Sequence, residues 1–283
     1  MAETDTARSP REHTGAGRRR SPTTVLTAGG LLFVFATALI GPWVAPHAPT
    51  EQVGMPFEAP DGTHLLGTDV LGRDVLSRVL HGGRVIVVSS VCATIATSLI
   101  GIVVGLWAGL GDGRFREAVV RAVDVLAAVP ALLLMLVLAA GYPASDTAVV
   151  AAVALTTLPF SVRVVRAAAR RLAGRGYIEA ALARGDGTLH LLRYDVLPNL
   201  AGPLAADAGI RLVAGVHLTA TAGFLGLGRG APEANWGRMV QENLPGAKLT
   251  TAPFLAPTVL LVVFAVSAGV LADRLAESWG SDA

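Results

Sequence analysis

The run Val85-Ile-Val-Val-Ser-Ser-Val-Cys-Ala-Thr-Ile-Ala-Thr-Ser-Leu-Ile-Gly-Ile-Val-Val-Gly-Leu-Trp-Ala-Gly-Leu110 carries no charged residue. A helix needs about 20 largely apolar residues to cross the hydrocarbon core of a bilayer, and this run exceeds that length. Leu249–Ala272 is a second such run, and Val125–Ser145 a third, with Asp124 at its threshold. Val25 to about Ala45 follows Arg18-Arg19-Arg20 and forms a first span. Thr147–Val162 is a little short, but Arg163 can snorkel to extend it. Ala205 to about Gly226 contains Asp207, Arg211 and His217, so hydropathy alone leaves it in doubt.

Composition agrees with a lipid-facing chain. Charged residues are only 16% of the total, hydrophobic residues are 52%, and mean hydropathy is +0.56; soluble domains carry about a quarter charged residues. The net charge of +2 is too small to suggest nucleic acid as a partner. Cys92 is the only cysteine; it cannot form an intrachain disulfide, and its apolar setting predicts a small buried hydrophobe. The sequence has neither a Cys/His metal cluster nor a phosphate-cradling Gly-x-x-x-x-Gly-Lys-Ser/Thr. No metal or cofactor is therefore expected on this chain, and any ATP chemistry belongs to another.

The predicted fold is all-α: six transmembrane helices with both termini in the cytoplasm. This orientation places most arginines inside, as the positive-inside rule requires. Arg8, Arg11 and Arg18–Arg20 precede span one; Arg114, Arg116 and Arg121 lie between spans two and three. Arg163, Arg166, Arg170, Arg171, Arg175, Arg184 and Arg193 lie between spans four and five. Dropping span five would put the carboxyl terminus outside and break the alternation. Residues 1–22 read as a disordered tail and 23–46 as the first span. Residues 47–83 form an outer segment and the helix leading inward, 84–276 the main membrane domain, and 277–283 a short tail. A cleaved secretory signal is the rival reading near residue 45, but its apolar core is usually about 7–15 residues, shorter than this one.

Between spans four and five, a loop at about 175–199 stands out as polar. Glu179, Ala180, Ala181 and Leu182–Arg184 are helix formers. Gly185-Asp186-Gly187 would end that helix, and a second short helix, Leu189 to Val196, would meet Leu197-Pro198. Such a knob suits docking by a soluble partner, or an amphipathic connector on the headgroups; spacing does not separate the two.

Other strings have local readings too. In Gly67-Thr68-Asp69-Val-Leu-Gly72-Arg73-Asp74 the glycines permit turns and Thr68 or Asp69 could cap a helix; Asp–Arg pairs would hold its shape. Asp124 is expected to pair with Arg121 or Arg116 rather than touch substrate, and Pro130 to kink span three. Gly223-Phe224-Leu225-Gly226-Leu227-Gly228 and Trp236-Gly237-Arg238-Met239 bracket a second outer segment. His217 either lines a pathway with Thr221 and titrates near neutrality, or makes an interhelical hydrogen bond; the second reading is preferred.

Taken together these strings resemble one family. Glu179-Ala180-Ala181, Gly185 and Leu197-Pro198 are similar to the loop by which ABC importer permeases engage their ATPases. The 67–74 string, and the pair Phe224–Gly228 and Trp236–Met239, resemble the permeases of dipeptide, oligopeptide and nickel importers. Two departures are visible. Members usually carry several prolines where this chain has Pro232 alone, and many place an acid before the Phe where this chain has His217, Thr219 and Thr221.

The resemblance implies a multi-pass permease of the bacterial plasma membrane, with residues 84–276 as the ABC permease domain. It further implies a second permease subunit, two ATPase subunits that hold the ATP, and an extracytoplasmic binding protein. Glu179, Ala180, Ala181, Gly185, Leu197 and Pro198 would be the docking residues. Gly67, Thr68, Asp69, Gly72, Arg73 and Asp74 would lie outside. His217, Thr221, Phe224, Gly226 and Trp236 would lie at the pathway or its outer loop. A secondary transporter driven by an ion gradient is the alternative, and the neutral cores of spans two, three and six speak against it. An embedded hydrolase would need a nucleophile and base that the sequence does not supply.

Overall fold

A computed structural model describes residues 22–176 and 190–280. Among them are eight α-helices: α1 Pro22–Val44, α2 Val75–Gly109, α3 Arg114–Ala128, α4 Ala131–Gly141, α5 Asp146–Ala173, α6 Leu197–Phe224, α7 Trp236–Asn243 and α8 Ala252–Gly280. The described residues contain no β-strand beyond two isolated bridges, Gln52 with Arg73 and Thr68 with Asp74.

The neutral run Val85–Leu110 fills α2 up to its C-cap, Leu110, and the helix starts earlier, at Val75, because the Asp74 carboxylate caps it by accepting from the Ser77 amide. Its packing rests on Gly101, Gly105 and Gly109, spaced by four and so on one face. A Cβ on these glycines would stand 2.4 Å from Ser161 Oγ, 2.6 Å from Val165 Cβ and 2.7 Å from Ala169 Cβ. Their lack of side chains lets the α2 and α5 backbones approach closely, the small-residue packing of membrane helices. Val88, Ile95, Leu99 and Val103 form the outward stripe of α2. Cys92 falls on that stripe and is exposed, not the buried hydrophobe its apolar setting predicted.

Span three is not the continuous helix expected over Val125–Ser145. α3 and α4 meet at a 92° bend. Pro130 lacks an amide hydrogen and drives the residue before it out of the helical region; Val129 is extended at φ −80°, ψ 123°. α4 has 11 residues, about 16 Å at 1.5 Å per residue, too short to cross by itself. Span four continues past Val162 to Ala173, started by Ser145 as its cap. The short helix expected over Leu189–Val196 is not separate: a π-helical turn, Leu191–Val196, runs directly into α6, with Pro198 in the first turn where proline is tolerated.

Thr23–Val44, α2, α5 and Ala252–Arg274 are long and apolar enough to cross a membrane, and the bent α3–α4 pair makes a fifth if counted as one broken span. α6 has 28 residues, but Asp207, Arg211 and His217 lower its hydropathy. The helices alternate in direction. The starts of α1, α3 and α6 share one end of the bundle with the ends of α2, α5 and α8, where Arg274 Nη2 donates to Thr23 Oγ1 at 3.1 Å. At this loop end α5 ends and the described chain resumes at residue 190; the opposite, signature end carries residues 45–74 and 225–251.

At the signature end a core of Val34, Val75, Val79, Ile86, Val216, Met239 and Phe264 closes around Trp236. The indole is fully buried, and its Nε1–H donates to the Val79 carbonyl at 2.7 Å. Gly83 makes room for it: a Cβ there would meet Trp236 Cζ2 at 2.3 Å. Overpacking of this kind costs about 1–3 kcal/mol. Gly83→Ala should therefore lower the thermal midpoint of the detergent-purified protein, while Gly29→Ala, with nothing within 4 Å, should leave it unchanged or raise it. Equal effects would contradict the close seating of Trp236 on Gly83.

Candidate functional site

Residues 64–78 form a tight turn leading into α2, and most of its charged groups meet one another or Glu242 of α7. Gly67 and Gly72 adopt φ of 69° and 71°, and a Cβ would collide with the Glu58 carbonyl at 2.3 Å and the Gly54 carbonyl at 2.1 Å. Asp69 is the hub. Its Oδ1 accepts from the amides of Leu71 at 2.8 Å and Arg73 at 2.9 Å. Its Oδ2 accepts from Arg73 Nε at 2.7 Å and from Arg78 Nη1. Both guanidinium groups also reach Glu242 Oε2 on α7, at 3.1 Å and 3.0 Å. Two carboxylates thus balance two cations, with Asp69 and Arg78 both at 0% exposure.

The neighbours extend this frame. Thr68 Oγ1 donates to the Met55 carbonyl and accepts from the Glu58 amide. Asp74 holds Ser77, and Asn243 Oδ1 accepts from the Val70 amide. Asp61 closes the preceding turn; the His64 amide, the Thr63 hydroxyl and the Thr63 amide, in that order, hold its carboxyl below the usual carboxylate range. The string is a clasp joining residues 45–74 to α7.

At the loop end, Glu179, Ala180, Ala181 and Gly185 lie outside the described residues. Leu197 and Pro198 are exposed at the start of α6, between buried Val196 and Leu200. Tyr194, 61% exposed, stands one turn before them. These side chains make an apolar ledge where the segment rejoins the bundle. Asp124 pairs with neither Arg121 nor Arg116 but with Arg163 of α5, at 2.7 Å. The packing of α3 on α5 turns it there, while Arg121 goes to Glu117 and Arg116 to the Trp107 carbonyl.

In α6, His217 is exposed, and its ring makes no hydrogen bond among the described residues, against the preferred interhelical reading. It borders two cavities. One, of 330 Å³, also meets Thr221, Phe224 and Thr258; the other, of 560 Å³, meets Thr156, Phe160, Arg211 and Asp273. Thr221 Oγ1 donates to the His217 carbonyl of its own helix, and Gly226 ends α6 at φ 77°. Trp236 does not join this group, because its ring is sealed in the core.

Two features escaped the sequence reading. Glu242, the second acid of the clasp, sits in no recognisable string. Asp207, 4% exposed, accepts from Ser161 Oγ at 2.6 Å and pairs with Arg211 Nε at 3.2 Å; the i,i+4 spacing of Asp207 and Arg211 was the available signal.

Removing one partner of a buried ion network costs about 3–5 kcal/mol. Asp69→Ala should lose stability on that scale, since Arg78 Nε and Nη2 have no partner among the described residues. Glu233→Ala, which removes an exposed pair with Arg229, should cost less than about 1 kcal/mol. Unfolding in detergent compares the two.

Residues 101–280 match the family described as "binding-protein-dependent transport system inner membrane component". The di/tripeptide transport system permease protein DppC of Pseudomonas aeruginosa is 37% identical over 222 residues, covering 75% of this chain and 73% of that protein. The dipeptide transport system permease protein DppC of Haemophilus influenzae is 32% identical over 260 residues, covering 87% and 88%. A solved chain of the MetNI methionine ABC transporter, in an inward-facing conformation, superposes with a TM-score of 0.53 at 20% identity over 68% of this chain and 94% of that one, a likeness of fold. The chain belongs to the binding-protein-dependent transport system inner membrane components, and is a multi-pass permease subunit of the ABC importer type in the bacterial plasma membrane.

Proposed function

We propose that this chain pairs with a second permease subunit to form the membrane pathway of an ATP-driven peptide importer. The observation that carries this reading is the place of the described chain on either side of residues 177–189. α5 ends, and the chain resumes through the exposed Tyr194, Leu197 and Pro198, at the end of the bundle that also holds the start of α1 and the end of α8. A soluble ATPase can reach that end if it faces the cytoplasm, and the arginine distribution supports that orientation. Glu179, Ala180, Ala181 and Gly185 then complete the docking surface. ATP is bound and hydrolysed on two ATPase subunits, and a binding protein delivers substrate at the signature end.

Six crossings fit this arrangement. α6 serves as the fifth, because Asp207 and Arg211 neutralise each other within the bundle and Ser161 donates to the carboxylate. A charge in a span is tolerated when it faces inward and is paired. ATPase closure drives the switch between inward- and outward-facing states only if partners bind those states differently. The peptide class is supported by what the relatives are named for. Exchange driven by an ion gradient has less support, since the buried carboxylate of α6 is already engaged.

Reconstitution with the partner permease, the ATPases and a binding protein tests the reading. Dipeptide uptake into vesicles should require ATP. Glu179→Lys should abolish it and reduce ATPase recovery on a tagged permease, by about 2 kcal/mol of interface energy or more, while insertion is unchanged. Uptake driven by a proton or sodium gradient without ATP would overturn it.

A further inference from the structure

At the loop end, the turn Gly111-Asp112-Gly113 and the start of α3 face α5 across a cleft of 320 Å³. Four arginines line it, Arg114, Arg116, Arg166 and Arg170, against two acids, Asp112 and Glu117, a surplus of two positive charges (4 − 2). Arg116 is anchored by donating to the Trp107 carbonyl at 2.7 Å. Glu117 is divided between Arg121 at 3.8 Å and Arg166 at 3.9 Å. Nε of Arg166 is buried with no hydrogen-bond partner among the described residues. Arg114 and Arg170 have no ion pair among the described residues. The cleft is therefore concave, cationic and under-neutralised, which suits a phosphate group.

What stands beside it indicates the source of the phosphate. The Arg116 guanidinium lies 5.2 Å from the Trp107 ring centroid. Trp107 and Phe115 meet edge to face at 5.9 Å and are 37% and 73% exposed. They close the end of a 35-residue apolar helix, the level at which aromatic side chains sit among lipid headgroups. A soluble anion gains nothing from such neighbours, whereas a phospholipid lays its acyl chains along them. Basic clefts between membrane helices take lipid headgroups in this way. We propose that this cleft binds the phosphate headgroup of an anionic phospholipid. The site rests on the membrane placement of the chain and is independent of what the permease transports.

The test uses the full chain purified in detergent and three probes: dioleoylphosphatidylglycerol, dioleoylphosphatidylcholine and inorganic phosphate alone. Native mass spectrometry should retain one phosphatidylglycerol per chain in preference to phosphatidylcholine, and that lipid should raise the thermal midpoint. Each basic residue near an anionic surface contributes about 1 kcal/mol, so Arg114→Glu with Arg170→Glu should cut retention at least about tenfold. Both side chains are exposed, so the melting point in phosphatidylcholine should hold; Arg114→Lys with Arg170→Lys should keep most of the retention. Equal retention of the two lipids, or retention untouched by charge reversal, overturns the site. Full protection by inorganic phosphate alone assigns it to a free anion and overturns the lipid. A reversed variant that keeps the lipid but loses the ATPase makes the cluster a protein-docking surface and overturns it as well.

Discussion

A charge inside an apolar bundle is stable only when an opposite charge and hydrogen bonds meet it there, and the chain places its buried charges under that constraint. Asp69 holds Arg73 and Arg78 together and shares them with Glu242, so the segment before α2 is fastened to α7. Asp207 takes Ser161 from α5 and Arg211 from its own helix, joining α5 to α6. Asp124 and Arg163, half-exposed, do the same for α3 and α5. Each cluster links elements distant in sequence and sets where helices cross.

These links divide the molecule into a fastened end and an open one. At the signature end the clasp and the buried Trp236 hold residues 45–74 and α7 against α2. Along the middle the glycine face of α2 brings it close to α5. At the loop end α6 begins in a π-helical turn beside exposed Tyr194, Leu197 and Pro198. In the proposed transport cycle a push on residues 177–199 enters the bundle through that turn and travels along α6, past His217 and Thr221, toward Phe224. The right-angled break between α3 and α4 leaves α4 as a short arm beside this route.

The sequence made the membrane character plain, because a charge-free run such as Val85–Leu110 has few readings. It also marked Pro130 as a kink, though not that the kink would split span three, since the angle depends on what α3 packs against. Partners were less legible. Asp124 has Arg121 within one turn and Arg116 eight residues back, yet Arg163 is 39 residues away, and local spacing cannot rank these. Cys92 and Trp236 show the same limit: an apolar run says nothing about which stripe faces outward, and a string near an outer segment does not say whether its tryptophan is buried. The clasp at Asp69 was half readable, with Arg73 four residues on and Glu242 hidden in an unremarkable helix. Of the residues expected to dock an ATPase, Leu197 and Pro198 are described, and Glu179, Ala180, Ala181 and Gly185 lie outside the described residues.

The central claim is that events at the loop end reach the α6 face carrying His217 and Thr221. Because Cys92 is the only cysteine, a Cys92→Ser chain with Thr221→Cys reports on one position alone. The direct measurement is the rate at which a membrane-impermeant maleimide labels that thiol in the assembled transporter, without nucleotide and with ATP trapped on the ATPases. The account predicts that the labelling rate changes severalfold between the two states, and that the accessible side of the membrane changes with it. An identical rate from the same side in both states would contradict it.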